Sequence, residues 1–326
     1  MKKNQPLEFE KPIVELERKL EEIKRHSHGQ DIDLDPEVRR IESKIEEMKR
    51  DVYQHLSAWQ RVQISRHPAR PFMLDYVNLA FTDFIELHGD RLFGDDKSMP
   101  GGFATIEDIR CVVVGHQKGR DLKENIKRNF GSAHPEGYRK ALRLMRLAEK
   151  FSLPIVTMID TPGAYPGIGA EERHISEAIA VNLREMMVLK TPIVSVVIGE
   201  GGSGGALGIG VADRVLMMEN AYYSVISPEG CAAILWKHRS HAPEAAEALK
   251  LTARDLAQLK LIDDVIPEPL GGAHHNAEEA AANFKKTIVK HLRELSKTPV
   301  EELLARRYEK FRRVGEFAGD SDVNHA

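Results

Sequence analysis

One stretch near the middle of the chain constrains the fold more than any other. The β-branched run Pro192-Ile193-Val194-Ser195-Val196-Val197-Ile198 leads directly into the glycine-rich segment 199–208. A buried strand followed by glycines and then by helix-like apolar sequence predicts a strand, a tight turn over 199–205 and the first turn of a helix. Without Cβ atoms the turn lets a ligand approach its backbone N–H groups, and the helix dipole adds partial positive charge there. The segment is therefore a candidate oxyanion site.

The same strand pattern occurs once before. A second apolar run, 154–159, also ends in a glycine-bearing turn at 160–167, and helix-period sequence over 175–186 separates it from the first. An earlier run at 111–115, followed by helix-period sequence over 138–151, extends the alternation. Such alternation predicts a sheet with parallel crossovers, whose ligands gather at the carboxyl ends of the strands. The two glycine-bearing turns should therefore meet at one edge of the sheet.

Charged, helix-period sequence flanks this α/β region on both sides. Residues 1–66 predict a helical hairpin for packing or a subunit interface, with a polar break at 26–33 and a second helix starting at Asp35-Pro36. The segment 67–71 is the expected hinge to a main domain over 67–275. Residues 276–326 predict C-terminal helices that end in a frayed tail at 319–322.

The composition argues against some classes of partner. The 47 basic and 50 acidic residues leave a formal net charge of −3, which gives no reason to expect nucleic acid as a partner. No apolar run approaches the ~20 residues that span a bilayer, and the first residues do not resemble a secretory signal, so a cytoplasmic protein without membrane contact is expected. Cys111 and Cys231 lie far apart in apolar sequence and predict buried thiols.

A serine hydrolase is one interpretation of the glycine segment. Residues 201–205, Gly-Gly-Ser-Gly-Gly, fit the G-x-S-x-G nucleophile elbow in the required strand-turn-helix context, although so many glycines can match by composition. A triad would also need an acid and a base, drawn from Asp213, Asp263 or Asp264 and from His238, His241, His274, His275 or His291. A hydrolase or peptidase that uses Ser203 therefore stays open as an alternative.

Two other features allow more than one interpretation. Asp160, at the end of a predicted strand, could be a metal ligand or a base, but capping of the following turn is the expected role. The segment 118–131 holds five basic residues. It is either a solvated loop or a loop that receives phosphates of a nucleotide-like ligand, for which Lys123, Lys127 and Arg128 are suited.

Five blocks of the sequence carry a family resemblance: Phe84 to Asp96, Pro135 to Ala141, Asp160 to Gly167, Gly199 to Gly208 and Ser227 to Ala232. Together, and in this order, they resemble the carboxyltransferase alpha subunits of bacterial acetyl-CoA carboxylase. The resemblance implies an α/β, crotonase-like (ClpP/crotonase) fold of ββα units wound into a spiral. It also implies an α2β2 core with a beta subunit that carries the structural zinc, so no metal is expected in this chain.

The implied reaction moves the carboxyl group of carboxybiotin, held on the biotin carboxyl carrier protein, to acetyl-CoA. The product is malonyl-CoA for fatty-acid biosynthesis, and a biotin carboxylase completes the enzyme. The biotin is not covalently bound to this chain. The preference for acetyl- or propionyl-CoA stays open, as does the choice between CoA phosphates and the carrier protein as the ligand of 118–131. A non-catalytic scaffold subunit is a further alternative.

The resemblance also implies site residues. The backbone N–H groups of Gly204, Gly205 and Ala206 would form an oxyanion hole for the ureido oxygen of biotin. Other residues would line the substrate pocket, namely Gly163, Ala164, Tyr165, Gly201, Gly202 and Ser203. Two segments depart from the family pattern: Ser132-Ala133-His134 stands in place of Gly-Met-Pro, and His174-Ile175 in place of Gly-Gln. Both are expected beside the site, where they would alter ligand contacts but not the reaction.

Overall fold

The computed structural model describes residues 6–27 and 35–315. Its strands are β1 Thr82–Glu86, β2 Gly101–Ile106, β3 Ile109–Gly115, β4 Ile155–Thr161, β5 Ile193–Gly202, β6 Arg214–Met218, β7 Tyr222–Ser224 and β8 Asp264–Ile266. Its helices are α1 Lys11–Ser27, α2 Asp35–Gln54, α3 Ala58–Ser65, α4 Met73–Ala80, α5 Leu122–Lys127, α6 Pro135–Lys150, α7 Ile168–Glu172, α8 Ile175–Val188, α9 Ser203–Leu207, α10 Pro228–Leu235, α11 Ala242–Ala248, α12 Ala253–Gln258, α13 Ala277–Leu295 and α14 Val300–Arg312. Short 3-10 turns lie at Glu8–Glu10, Asn129–Gly131 and Arg239–His241.

The eight strands form one mixed sheet in the order β1-β2-β3-β4-β5-β6-β8, with β7 paired to β5. From β3 onward every pairing is parallel, which confirms the predicted crossovers. The first two pairings, β1 with β2 and β2 with β3, are antiparallel. These two hairpins were not predicted.

Strand β5 is longer than predicted and pairs with three other strands, β4, β6 and β7. Its first half pairs with β6, as Val194 does with Arg214, whereas its glycine end pairs with β7, as Gly201 does with Tyr223. The predicted turn over 199–205 is therefore wrong in its first half, because Gly199 to Gly202 continue the strand and the direction changes at Ser203. Glycine is required at Gly202 by close approach, since a Cβ would lie 2.3 Å from the carbonyl oxygen of Pro162.

The core consists of the sheet and the helices that cover it. Every residue of β4 and β5 is buried, which is the pattern of parallel strands covered on both faces. The C-terminal helix α13 joins the same core, where the ring of Phe284 packs at a tilt against Tyr76 of α4 with 4.8 Å between ring centroids. Both cysteines are buried.

The two ends of the chain are attached in different ways. Helices α1 and α2 form the predicted hairpin, linked by ion pairs such as Lys49 with Glu17 at 2.6 Å. Most of the predicted polar break at 26–33, and the predicted frayed tail, lie outside the described residues. The three-part domain division stays a prediction.

Helix α14 is attached to the sheet through the buried side chain of Arg307, alongside the buried Leu303 and the ion pair of Lys310 with Asp263. The guanidinium of Arg307 donates to both carboxylate oxygens of Asp213, at 2.8 and 2.7 Å, and to the carbonyl oxygens of Met186, Leu189 and Thr191. Asp213 in turn accepts the backbone N–H of Ile193, the first residue of β5. The start of the central strand therefore depends on a charge supplied from the C-terminal helix.

Candidate active site

The two glycine-bearing turns meet at the carboxyl end of the sheet, as predicted. Strands β4 and β5 are neighbours, and Thr161 pairs with Gly201 in the register between them. Beyond this pair Gly205 lies against the turn that follows β4, where a Cβ would approach the backbone nitrogen of Ala164 to 2.4 Å. Only glycine allows so close an approach at that position.

Backbone N–H groups converge at this junction. Gly204 and Gly205 are the second and third residues of α9, where N–H groups have no carbonyl partner within the helix, whereas Ala206 is the fourth, whose N–H is placed to donate to the carbonyl oxygen of the N-cap residue Gly202. Apart from the hydrogen bonds within helices and strands, neither Gly204 nor Gly205 donates to a backbone group among the described residues. Gly205 is held by its own carbonyl oxygen, which accepts the hydroxyl of Tyr138 at 3.1 Å. The arrangement is a fixed set of donors that can stabilise a developing negative charge.

Serine 203 lies at the rim of this turn. Its side chain is exposed, its φ is 54°, and its hydroxyl makes no hydrogen bond within the described residues. The histidines considered as bases contact other groups. His238 binds Ser240, His241 stacks on Trp236, His274 and His275 bind Glu10, and His291 binds Asp264.

A buried ion network lies directly beneath the glycine end of β5. The ammonium of Lys118 contacts the carboxylates of Asp160 at 2.6 Å and of Glu200 at 2.7 Å. Arg66 contacts Glu200 from the other side at 2.6 Å and also binds Glu229. Burial alone would raise the pKa of Glu200, but Lys118 and Arg66 outweigh it and lower that pKa to about 2. The network keeps Glu200 ionised and anchors the strand that supplies the glycines.

Asp160 does not have the predicted capping role. It accepts the backbone N–H of Glu200 on the neighbouring strand at 2.9 Å, whereas the turn after β4 is capped by the hydroxyl of Thr161, which accepts from Gly163. The carboxylate is 2 % exposed and bound to Lys118, so it acts between strands. A sequence gives no local signal for this pairing, because Lys118 precedes Asp160 by 42 residues.

The basic segment 118–131 is not the predicted loop. Lys118 is buried in the ion network, and Leu122–Lys127 form helix α5. Arg128 binds Glu124 at 3.0 Å and the carbonyl oxygen of Lys97 at 2.8 Å, so its guanidinium is already engaged within the chain. Lys123 and Lys127 are exposed. Their predicted role as phosphate ligands is untested.

Tyr165 and the first departing segment lie together. The ring of His134 stacks on Tyr165 with 4.2 Å between centroids, and the N–H of Tyr165 donates to the carbonyl oxygen of Ala133. The second departure places His174 at the start of α8 with φ 64°, in the left-handed region. The first segment flanks the turn that follows β4, as predicted, whereas His174 lines a cavity between α6 and α8, and its expected place beside the site stays a prediction.

One group of side chains has the composition of a metal site. The ligand atoms of Glu10, His274 and His275 lie within 4.8 Å of one another. The Glu10 carboxylate oxygen accepts from His274 at 2.8 Å and also from the hydroxyl of Tyr53. These are hydrogen-bond contacts that attach the N-terminal segment to the loop before α13. The expectation that this chain binds no metal stays a prediction.

Comparison with known proteins decides the family. The family described as acetyl co-enzyme A carboxylase carboxyltransferase-like matches residues 6–315. A curated relative from Thermus thermophilus, named acetyl-coenzyme A carboxylase carboxyl transferase subunit alpha, is 55 % identical over 313 residues, which cover 96 % of this chain and 99 % of the relative. The chain belongs to this family. A relative of the same name from Methylococcus capsulatus is 57 % identical over 309 residues, 95 % of this chain and 96 % of the relative.

Solved structures agree on the fold. The transcarboxylase 12S, crystallised with methylmalonyl-coenzyme A, aligns with a TM-score of 0.56 at 19 % identity over 76 % of this chain and 43 % of that one. The Pseudomonas malonate decarboxylase MdcD–MdcE heterodimer aligns with a TM-score of 0.53 at 16 % identity over 67 % of this chain and 91 % of that one. The predicted crotonase-like fold of the carboxyltransferases is confirmed. Within the described residues, no helix combines the length and the apolar character needed to cross a membrane.

Proposed function

We propose that this chain is the carboxyltransferase alpha subunit of an acetyl-CoA carboxylase and that its glycine junction stabilises the ureido oxyanion of biotin. The observation that carries the proposal is the pair of N–H groups at Gly204 and Gly205 in the first turn of α9, where no helical carbonyl accepts them and where Gly205 lies against the turn at Ala164; Ala206, the third predicted donor, follows them directly. The family supplies the substrates: carboxybiotin on a biotin carboxyl carrier protein and a CoA thioester.

The chemistry of transfer matches such a donor set. When the N–C bond of carboxybiotin breaks, carbon dioxide leaves and negative charge develops on the ureido oxygen. The biotin anion then takes a proton from the methyl group of acetyl-CoA, and the resulting enolate forms the new C–C bond with carbon dioxide. Fixed N–H donors aimed at the ureido oxygen stabilise the first step, and each donor is worth ~3 kcal/mol in sites of this kind. No side-chain nucleophile is required.

Apolar side chains around the junction favour a site completed by a partner. Ile168, which follows the turn after β4, is 79 % exposed, and Val225, which follows β7, is 78 % exposed. Leu207 on α9 is also exposed. Exposed apolar groups around a reaction site mark a surface that another chain covers. We infer that a beta subunit covers it and provides the CoA pocket and the second oxyanion hole, for the thioester enolate. Assembly with a biotin carboxylase and the cytoplasmic location remain part of this proposal.

The test is the reverse reaction, malonyl-CoA with biocytin. It is assayed with this chain alone, with a beta-type partner subunit alone, and with the two purified together. Activity only in the mixture is expected, because each chain supplies one oxyanion hole. An assembled mixture without activity, together with ester or peptide hydrolysis by this chain alone, would replace the proposal by serine chemistry at Ser203. An assembled mixture without either activity would favour the scaffold alternative.

A further inference from the structure

A large cavity of the described structure lies away from the glycine junction. It is a groove of about 940 Å³ between α6 and α8, closed at one end by the loop 88–95. Its floor is apolar and includes Leu142, Leu147, Ala178 and Val181. The loop adds Leu92 and Phe93, which are 77 % and 65 % exposed. Apolar side chains this exposed at the mouth of an apolar groove favour a macromolecular partner.

The groove is strongly basic. Its lining includes six basic side chains and two acidic ones. Three of the arginines are neutralised within the chain: Arg139 by Asp90, Arg146 by Glu185 and Arg173 by Glu136. The remaining cations, Arg91, Arg143 and Lys150, have no carboxylate within 4.0 Å among the described residues. The positive charge of the groove is therefore not balanced by carboxylates of the described residues.

Two of these cations are held together. A guanidinium nitrogen of Arg91 donates to the carbonyl oxygen of His88 at 3.0 Å, and one of Arg143 donates to the same oxygen at 3.1 Å. Arg143 is fixed further by the carbonyl oxygen of Gly89 at 2.9 Å. Partial burial, and after it the neighbouring charge of Arg91, lower the pKa of Arg143, and the carboxylates of Asp90 and Asp95, more than 4.0 Å away, only partly oppose this shift. Two like charges on one neutral acceptor are costly unless an anion relieves them.

We propose that this groove binds an acidic amphipathic segment of the beta subunit, with carboxylates on Arg91 and Arg143 and apolar side chains on the floor between α6 and α8. This inference rests on the proposed function, which supplies the beta subunit. A protein segment fits better than a small anion because most of the groove floor and the exposed Leu92 and Phe93 need apolar partners. The groove would be a second contact, since α8 separates it from the glycine junction: Asn182 of α8 binds the carbonyl oxygen of Gly208 on the junction side.

The experiment measures association of the full chain with its purified beta subunit by sedimentation velocity at low and high salt. The variant is Arg91→Glu with Arg143→Glu, and a second variant is Phe93→Ser. The matched control is Lys260→Glu with Lys286→Glu, which makes the same charge change at exposed residues away from the groove. We expect the arginine variant to weaken association on the order of tenfold or more, with a reduced salt dependence, and the control to match the wild type. Phe93→Ser is expected to weaken association with unchanged salt dependence.

Three outcomes would overturn the inference. The first is normal association of both groove variants that retain the wild-type thermal unfolding midpoint. The second is equal weakening by the lysine control, which would indicate a general charge effect. The third is binding of free CoA or pyrophosphate that is lost in the arginine variant while subunit association is unchanged. Failure of the proposed function is seen separately, as an assembled wild-type complex without carboxyl transfer.

Discussion

Gly205 lies so close to Ala164 that no other residue fits without a shift of the backbone, since a Cβ would lie 2.4 Å from the Ala164 nitrogen. The contact joins the ends of two neighbouring parallel strands. It places the N–H groups after β5 beside the turn after β4, and this junction is the proposed oxyanion site. The geometry of the site therefore depends on the backbone of two turns and not on a reactive side chain.

The first prediction concerns this contact. Gly205→Ala should lower carboxyl transfer by about 10²-fold or more, because the added methyl group moves the α9 donors away from the Ala164 turn. The measurement is the reverse reaction on the assembled complex. Gly204→Ala serves as a steric control for folding, since its Cβ would meet only Ile179, at 3.9 Å. We expect urea unfolding to show a loss of stability for Gly205→Ala and little change for Gly204→Ala. Full activity of Gly205→Ala would contradict the site.

The second prediction concerns the buried ammonium group. Lys118→Met leaves the carboxylates of Asp160 and Glu200 close together in a buried site without their shared cation, and should cost about 3–5 kcal/mol of the free energy of unfolding. The pH dependence of the stability should also change. In the wild type the folded pKa of Glu200, about 2, lies below its ordinary value of 4.5, so the stability it provides is complete above pH 4.5 and is lost as the pH falls toward 2.

Burial already raises the folded pKa of Asp160 in the wild type against the opposing charge of Lys118. In Lys118→Met this pKa should rise further, whereas Glu200 keeps the guanidinium of Arg66, so the Asp160 carboxyl should let the variant regain stability as the pH falls from 7 toward 5. Denaturant titrations at several pH values measure both slopes. Lys123→Met, at an exposed residue, is the matched control and should behave as the wild type. Equal pH slopes for wild type and Lys118→Met would show that the network is not coupled as described.

The third prediction concerns His116. Its ring is fully buried with both nitrogens unpartnered, and burial, followed by the charge of Lys118, lowers its pKa to about 3 from an ordinary value of 6.5. Only the unfolded chain then binds a proton between these values. Its contribution to stability is complete above pH 6.5 and falls by up to about 1.4 kcal/mol per pH unit as the pH decreases toward 3. His116→Phe should remove this slope in urea titrations at pH 5, 6 and 7. An unchanged slope would mean that another group is responsible.

The fourth prediction concerns His174. Its φ of 64° is favourable for glycine and costs other residues about 1 kcal/mol. His174→Gly should therefore raise the free energy of unfolding by about that amount. His174→Ala also removes the imidazole ring but keeps the Cβ, so it should give no such gain. If both variants are equally stable, the backbone conformation is not the source of strain.

The fifth prediction concerns Ser203. Because its hydroxyl has no hydrogen-bond partner in the described structure, Ser203→Ala should keep carboxyl transfer within about threefold of the wild type, well short of the loss expected for a nucleophile. A fluorophosphonate probe should fail to label the wild-type chain. Stable labelling that Ser203→Ala abolishes would support a hydrolase instead.

The sequence predicted those helices and strands whose patterns involve only residues close together in the chain. The apolar runs of β3, β4 and β5 and the periodic faces of α6 and α8 depend on burial of neighbouring residues, and all five elements are present. The end of β5 was misjudged because consecutive glycines normally indicate a turn. Here Gly201 is kept in the strand by its pairing with Tyr223, a partner that local sequence does not reveal.

The candidate site could also be predicted only in part from the sequence. That the turns after β4 and β5 meet follows from the neighbouring parallel strands. The role of Lys118 did not follow, because a single lysine after a strand is usually solvated, and its two carboxylate partners are 42 and 82 residues away. The engagement of Arg128 had a usable signal, since Glu124 precedes it by four residues, a spacing that favours an ion pair on a helical turn.

The buried Arg307 has a consequence for the order in which the protein matures during synthesis. Its partner Asp213 precedes it by 94 residues and holds the first N–H of the strand that leads to the glycine junction. Until residue 307 has left the ribosome, that carboxylate has no guanidinium to neutralise it and must stay hydrated. In the nascent chain the ion pair that covers the start of the central strand can therefore form only after α14 has been translated, so this part of the core is completed late in synthesis.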